Sequence, residues 1–344
     1  MTANSTLVYK SIPKGYPVPG QDVLVETREI DLNSVPPGGL LVAVFYASLD
    51  PYLRGKMRDP SIPSYTPAYT PDEPIANDTI AKVLKSDHPD FRPGDMVKSY
   101  GPIAEYAAIP DPASQRVTKI HNPYNLDLAL FLGPLGMPGL TAWSSLYEIG
   151  RPKKGETILV SSAAGAVGQL VGQMAKKEGL RVVGSVGSDE KLDFITRELG
   201  FDGGFNYKRE RPADALKRLA SDGIDIYYDN VGGEHLEAAL DGFKDHGRAV
   251  ACGMISQYNT EEPYPIRNLM QVVTKQLTIR GFVVGDSDFG PAYHKEHQEK
   301  LQKWLADGSF KAKLHFIEGI DNAAEGLVGI FRGENFGKAV LRIK

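Results

Sequence analysis

The segment ILVSS is followed by Ala163-Ala164-Gly165-Ala166-Val167-Gly168 and then by QLVGQMAKKEG, a glycine-punctuated turn between an apolar run and an amphipathic one. Such a turn can bring backbone N–H groups against a pyrophosphate. Gly165 lets the chain approach the anion, Gly168 lets helix and strand pack closely, and the helix start adds its positive dipole end. This is the dinucleotide fingerprint with alanine in place of the first glycine. The competing reading is an ordinary glycine-rich strand–helix turn, and the further strand–helix repeats downstream weigh against it.

The next apolar run ends RVVGSVGSDEKL. A dinucleotide site selecting NAD usually places Asp or Glu here, against the adenosine 2′-hydroxyl. This chain offers Gly184, Ser185 and Ser188, with Lys191 one turn into the following helix. A hydroxyl and an ammonium suit a 2′-phosphate, and Tyr207 of FNYK reaches the same rim. The pattern favours NADP over NAD; a solvated helix lysine is the alternative for Lys191.

A catalytic or structural zinc needs clustered Cys and His ligands. The chain has one cysteine, Cys252, at the end of the run RAVACG, where a buried thiol is expected. His121, His235, His246, His294, His297 and His315 read as lying in turns or on helices outside metal-binding motifs, and His88 in a surface turn. His294 and His297 stand three apart, but their Lys/Glu/Gln surroundings suggest a solvated face. No metal is expected.

These residues need a scaffold. The 344 residues suffice for two domains, and 39 basic against 43 acidic residues gives no reason to expect nucleic acid or anionic lipid. No secretory signal opens the chain, and no uncharged apolar stretch of about 18 residues suggests a membrane span. A cytoplasmic protein is expected. Residues 1–124 carry short β-like runs punctuated by Pro and Gly, pointing to a β-rich, partly barrel-like domain. Over 125–312, strands alternate with helices: 156–163, 166–179, 181–187, 189–199, 203–207, 212–221, 223–231, 233–243 and 247–254. A strand is expected at 277–284 and a helix at 294–308. This alternation predicts a parallel sheet covered on both faces. Residues 313–344 return to short extended pieces and are expected to rejoin the first domain.

LDPYLRGKM (49–57), AYTPDEPI (68–75), GPLGMPGLTAW (133–143), AAGAVGQLVGQMAK (163–176), VVGSVGSDEK (182–191), YDNVGG (228–233), GRAVACGMISQYN (247–259), RGFVV (280–284) and ENFGKAV (334–340) occur in this order. Together they resemble the zinc-independent branch of the medium-chain dehydrogenase/reductase superfamily, which holds leukotriene B4 dehydrogenase/prostaglandin reductase and plant alkenal double-bond reductases. The resemblance spans nearly the whole chain. It implies an α/β fold, in which a GroES-like β-rich domain carries an inserted Rossmann domain with a doubly wound parallel sheet, and often a homodimer formed by joining Rossmann sheets. One stretch departs from relatives: after the PI pair they often carry glycines, whereas this chain reads PIANDTIAKV, with Asn77 and Asp78.

The resemblance also implies roles. Gly165, Ala166 and Val167 would lie at the pyrophosphate, and Gly184, Ser185, Lys191 and Tyr207 around the 2′-phosphate of NADP(H). Asn230, Cys252, Gly253 and Ser256 would follow the nicotinamide-side ribose and diphosphate, with Met137 and Thr141 near the carboxamide. Phe282 and Val284 would lie along the nicotinamide, with Asn335 approaching from the returning segment. Tyr258 of SQYN would meet the substrate carbonyl beside the nicotinamide ribose, and Tyr52 and Tyr69 would line the substrate cleft. A ribose-binding or packing tyrosine is the alternative for Tyr258.

The chemistry that fits is NADPH-dependent reduction of the C=C bond of an enone or enal, with hydride added to the β-carbon and Tyr258 donating to the developing oxyanion. A carbonyl/alcohol oxidoreductase using the same cofactor and a non-catalytic NADPH-binding protein are the other readings. The expected partner is a small-molecule enone or enal.

Overall fold

Two stretches of the chain bury apolar residues in different ways, and each stretch builds its own unit. The computed structural model describes residues 1–344. One unit comprises Met1–Gly133, Leu314–Asn335 and Ala339–Lys344; the other comprises Pro134–Lys313 with Phe336–Lys338.

In the first unit β1 (Thr2–Tyr9) and β2 (Val23–Ile30) form an antiparallel pair. β3 (Leu40–Ser48), β4 (Ala76–Ser86), β5 (Met96–Pro102), β6 (Tyr106–Ile109) and β7 (Thr118–Lys119) build a second sheet. β14 (Leu314–Glu318) and β15 (Lys338–Arg342) complete it in the order β14-β15-β3-β4-β5-β7, with β6 also paired to β3. Leu7, Val42, Met57, Leu327 and Leu341 are fully buried in its core. A single-turn helix, α1 (Leu53–Lys56), follows β3.

The second unit is the predicted α/β sheet. β8 (Thr157–Val160), β9 (Arg181–Val186), β10 (Gly203–Asn206), β11 (Ile224–Asp229), β12 (Phe243–Ala251) and β13 (Thr278–Gly281) are all parallel and run in the order β10-β9-β8-β11-β12-β13. That order reverses direction between β8 and β11, the switch point where doubly wound sheets open a crevice beyond their carboxyl ends. The helices are α2 (Met137–Ser145), α3 (Gly168–Lys177), α4 (Asp189–Asp193), α5 (Pro212–Leu219), α6 (Gly233–Gly242), α7 (Met270–Thr274) and α8 (Gly290–Ala306). In the first unit, α9 (Ala323–Phe331) covers β2.

Several elements differ from the sequence reading. The texture changes at Asn125, but residues 125–133 stay with the β-rich unit because the turn Leu128–Leu132 packs on β3 and β4. Lys313 stays with the parallel sheet because Gln169 brackets its backbone, accepting from its N–H at 2.8 Å and donating to its carbonyl at 3.1 Å. Phe336 packs edge-on to Phe194 at 5.0 Å and belongs to the same unit. The strand expected at 277–284 ends at Gly281, so Phe282 and Val284 lie in the loop beyond it. His246 and His315 lie on β12 and β14, not in turns or helices. His297 is the largest correction. Far from facing solvent it is fully buried, 2.8 Å from the Pro134 carbonyl and edge-on to Trp143. The stripe that α8 turns inward passes through His297 and Leu301, although its sequence neighbours are charged.

Candidate active site

Backbone crowding explains the glycines at the carboxyl edge of the parallel sheet. A Cβ on Gly168 would sit 2.4 Å from the Ser162 carbonyl oxygen and 2.9 Å from Ala163 Cα. On Gly165 it would meet the Ser162 hydroxyl at 2.8 Å and carbonyl at 3.0 Å. The turn is fixed by the Gly165 N–H donating to Ser162 and the Ala163 N–H donating to Ser185. No side chain caps the start of α3; the Gln169 N–H donates to the Gly165 carbonyl and the Leu170 and Val171 N–H groups to that of Val167, so the helix's positive end is closed onto the turn formed by Gly165, Ala166 and Val167. Gly184 serves packing: a Cβ there would strike Ile195, Ala163 and Phe201 within 3 Å.

At the switch point Asn230 ties β11 to β8. Its backbone N–H donates to Ser161 Oγ at 2.9 Å, and its amide donates to the Ser161 carbonyl at 2.8 Å. Sequence reasoning missed the residue that shapes this turn, Asp229. Its carboxylate accepts from the Val231 and Gly232 N–H groups at 2.9 and 2.7 Å and from the Tyr227 hydroxyl at 2.7 Å, while its carbonyl accepts from the Cys252 and Gly253 N–H groups. Burial raises its pKa, and those hydrogen bonds pull it back. The acidic residue directly before Asn-Val-Gly-Gly was the available signal, since such a side chain caps its own turn.

The β12 edge carries the next group. Burial pushes the Cys252 thiol up to about 12, and it faces the Tyr228 hydroxyl in the interior, so only its backbone serves the edge. Tyr258 accepts the Met254 N–H at 3.2 Å, its oxygen lying where a Cβ on Gly253 would come within 3.0 Å. Ser256 donates to the Val231 carbonyl at 2.6 Å, tying this turn back to β11. Met137 starts α2 and Thr141 lies one turn on, its buried hydroxyl directed to the methionine sulfur at 3.4 Å. Phe282 stacks on Phe289 at 4.9 Å, and the Val284 carbonyl lies where a Cβ on Gly290 would collide.

The β9–β10 rim corrects one expectation. Ser185 is fully buried, and its hydroxyl is hydrogen-bonded at 2.7 Å to His235 rather than presented to a phosphate. Ser188 caps α4, accepting the Lys191 N–H at 3.2 Å. Tyr207 is exposed, packs edge-on to His235 at 5.4 Å, and its hydroxyl approaches Gly187. Lys191 is half-buried; burial, then the nearby Lys208, lowers its pKa. Lys208 follows Tyr207 directly in the chain and its charge bears on Lys191, so this rim carries two cations, a composition suited to a dianion; Lys208 went unread because it lies beyond the strand end.

In the β-rich unit Tyr52 and Tyr69 belong to one polar cluster. The Tyr52 hydroxyl donates to Asn77 at 2.7 Å, and Asn77 donates to the Ser48 carbonyl and Asp50 at 2.7 and 2.9 Å. Tyr69 donates to the Ala76 carbonyl at 2.8 Å. Burial raises both phenols, so they stay protonated. Asn335 is in the same unit, lining a shallow cavity of about 220 Å³ with His315, Glu325 and Glu334. No three His, Cys, Asp or Glu side chains are grouped to hold a metal ion, and no helix is long and apolar enough to cross a membrane.

Comparison with known proteins matches residues 166–299 to the family described as zinc-binding dehydrogenase, and residues 6–117 to the N-terminal domain of oxidoreductase. The NADP-dependent oxidoreductase RED1 of Cochliobolus heterostrophus is 52% identical over 100% of this chain and 98% of its own length. The 2-alkenal reductase (NADP(+)-dependent) of Nicotiana tabacum is 41% identical, covering 99% of this chain and 98% of the relative. The crystal structure of CurA in complex with NADPH from Vibrio vulnificus superimposes with a TM-score of 0.91 at 32% identity, covering 99% of each chain. With its doubly wound sheet and β-rich companion, this chain belongs to the medium-chain dehydrogenase/reductase family, in the zinc-independent branch that holds the alkenal double-bond reductases.

Proposed function

We propose that this NADP(H)-dependent oxidoreductase reduces the carbon–carbon double bond of α,β-unsaturated ketones or aldehydes. The observation that carries the reading is the Tyr258 phenol, held by the Met254 N–H beside Gly253 at the carboxyl edge of the sheet. A dinucleotide fits that edge. The glycines of the β8 turn clear a path for a diphosphate, and Lys191, Lys208 and Tyr207 suit the 2′-phosphate that distinguishes NADP from NAD. Ser185 contributes from within, by holding His235 behind Tyr207. NADPH, when bound, supplies a hydride from C4 of its nicotinamide.

The protein's own task is positional and electrostatic. Asn230, Cys252, Gly253 and Ser256 hold the ribose-side turn, while Met137, Thr141, Phe282, Val284 and Asn335 are assigned to the nicotinamide end. Tyr258 donates a hydrogen bond to the substrate carbonyl oxygen as charge builds there. Tyr52 and Tyr69 are assigned to the walls that hold the enone.

We also assign a homodimer. The edge strand β13, with its own Ile279, is exposed along its length, and Leu269, Met270 and Val273 of the preceding α7 segment are exposed as well. Joining two such edges would pair the strands and cover these side chains; sedimentation measures the mass directly.

The deciding experiment incubates the protein with NADPH and a simple enone and identifies the product. Saturated ketone supports the proposal. Allylic alcohol would make the chain a carbonyl reductase, and tight NADPH binding without oxidation across an enone panel would make it a non-catalytic binder.

A further inference from the structure

Three phenols meet in the β-rich unit, and their hydrogen bonds run in opposite senses. Tyr69 gives its proton to the Ala76 carbonyl. Tyr52 gives its proton to Asn77, whose amide cannot be turned round because its nitrogen already donates to Ser48 and Asp50. Tyr100 does the reverse. Lys56 Nζ lies 2.6 Å from its hydroxyl oxygen, and an ammonium only donates, so the phenol oxygen must accept. Its own proton is therefore directed away from Lys56 and engages no protein acceptor.

The surroundings are unusual for a lysine. Lys56 is only 7% exposed, and its ammonium is met by the Tyr100 hydroxyl and the ring faces of Tyr69 and Tyr100, at 4.6 and 5.3 Å, rather than by a carboxylate. Burying an ammonium this way is costly, and such a group marks a site where charge is wanted. The Arg116 guanidinium lies 4.6 Å from the same Tyr100 ring. Asp78, opposite Tyr100 in the β4–β5 register, holds that arginine at 3.7 Å and Lys98 at 3.5 Å. Asn77 and Asp78 are thus both used in this cluster.

We propose that Tyr100 is the acid that protonates the α-carbon of the reduced enone, with Lys56 as its positioning residue. This rests on the enone-reductase reading and supplies its second half. Hydride from NADPH forms the new bond at the β-carbon, and the alkene electron pair moves to an enolate. The enolate pair then takes the Tyr100 proton: the α-carbon–hydrogen bond forms, the Tyr100 oxygen–hydrogen bond breaks, and the carbonyl is restored. The phenolate left behind sits against the Lys56 ammonium and beside Arg116, and Tyr100, being half-buried, recovers a proton from water.

The test uses the full chain with NADPH and an α-methyl enone, so that protonation creates a stereocentre, and it reads the α-configuration by chiral analysis as well as the rate. Wild type is expected to give one α-configuration. Tyr100→Phe should lower kcat about 100-fold, leave both KM values within about threefold and scramble the α-carbon while the β-carbon keeps its configuration. Lys56→Met, an apolar replacement of similar length that secures folding, should lower kcat about tenfold with the same scrambling, and Lys56→Arg should restore selectivity. Retention of both rate and α-configuration in Tyr100→Phe overturns the proposal. So does a loss of rate in both variants with the α-configuration unchanged, which is the mark of a merely structural role. A wild type that makes no saturated product defeats the reduction itself, and the assignment with it.

Discussion

Ser185 Oγ lies 2.7 Å from His235 Nε2, both side chains being buried beneath the rim that Tyr207 closes. Residues 50 positions apart in the chain meet because β9 places its serine against the start of α6. The imidazole is stacked on Phe205 and edge-on to Tyr207, so it orders the aromatic wall of the candidate phosphate pocket.

Burial lowers the His235 pKa from 6.5 to about 4, so the folded protein holds it neutral where the unfolded chain would protonate it. The unfolded state therefore binds the extra proton between those values. The stabilising contribution is complete above pH 6.5 and is lost as pH falls towards about 4, amounting to about 3 kcal/mol at full extent. Denaturation midpoints measured at pH 7 and pH 5 should differ more for wild type than for His235→Gln. An equal pH dependence in the two proteins would contradict the assignment.

Gly168→Ala should destabilise the protein by about 1–3 kcal/mol, because the new methyl group meets the Ser162 carbonyl and Ala163 backbone, which cannot rotate aside. NADPH binding should weaken as well, since displacing α3 moves its first N–H groups. Paired urea denaturation and fluorescence titration would separate the two effects. Wild-type stability in the variant would show that the turn is looser than its geometry states.

The fingerprint turn was legible because its strand, glycines and helix are contiguous, and the strand–helix alternation is a local rhythm. His297 was misread for the same reason: its charged neighbours occupy the solvent side of α8, while the helical period turns the imidazole onto Pro134 and Trp143. Ser185 looked available because it stands in the small-residue run before Ser188, yet β9 buries it against a histidine 50 residues further on, flanked by Glu234 and Leu236, that no local pattern links to it. Lys56 on α1 and Tyr100 on β5 lie 44 residues apart, and no local pattern in the sequence announces that the fold brings them together.

Lys191→Ala should raise the NADPH dissociation constant about 10- to 100-fold, the effect of losing one charge-assisted contact of about 1.5–3 kcal/mol, and leave NADH binding nearly unchanged. Lys208→Ala should act in the same direction, because a cation close enough to bear on Lys191 also attracts a dianion held there, and its loss outweighs the relief of repulsion between the two ammonium groups. Titrating both nucleotides against both variants checks the point. A parallel loss of NADH affinity would move these lysines away from the 2′-phosphate.

Tyr258→Phe removes the oxygen that accepts the Met254 N–H and the donor assigned to the substrate carbonyl, while keeping the ring in place. The backbone N–H it leaves lies in an exposed turn, where water replaces the lost partner, so the fold should tolerate the change. With one oxyanion donor gone, kcat for an enone should fall about 100-fold, whereas the NADPH dissociation constant should change by less than about threefold. Stopped-flow single turnover separates the hydride step from product release. A rate held within about twofold of wild type would return Tyr258 to the role of a ribose-side packing residue, and a loss confined to NADPH affinity would do the same.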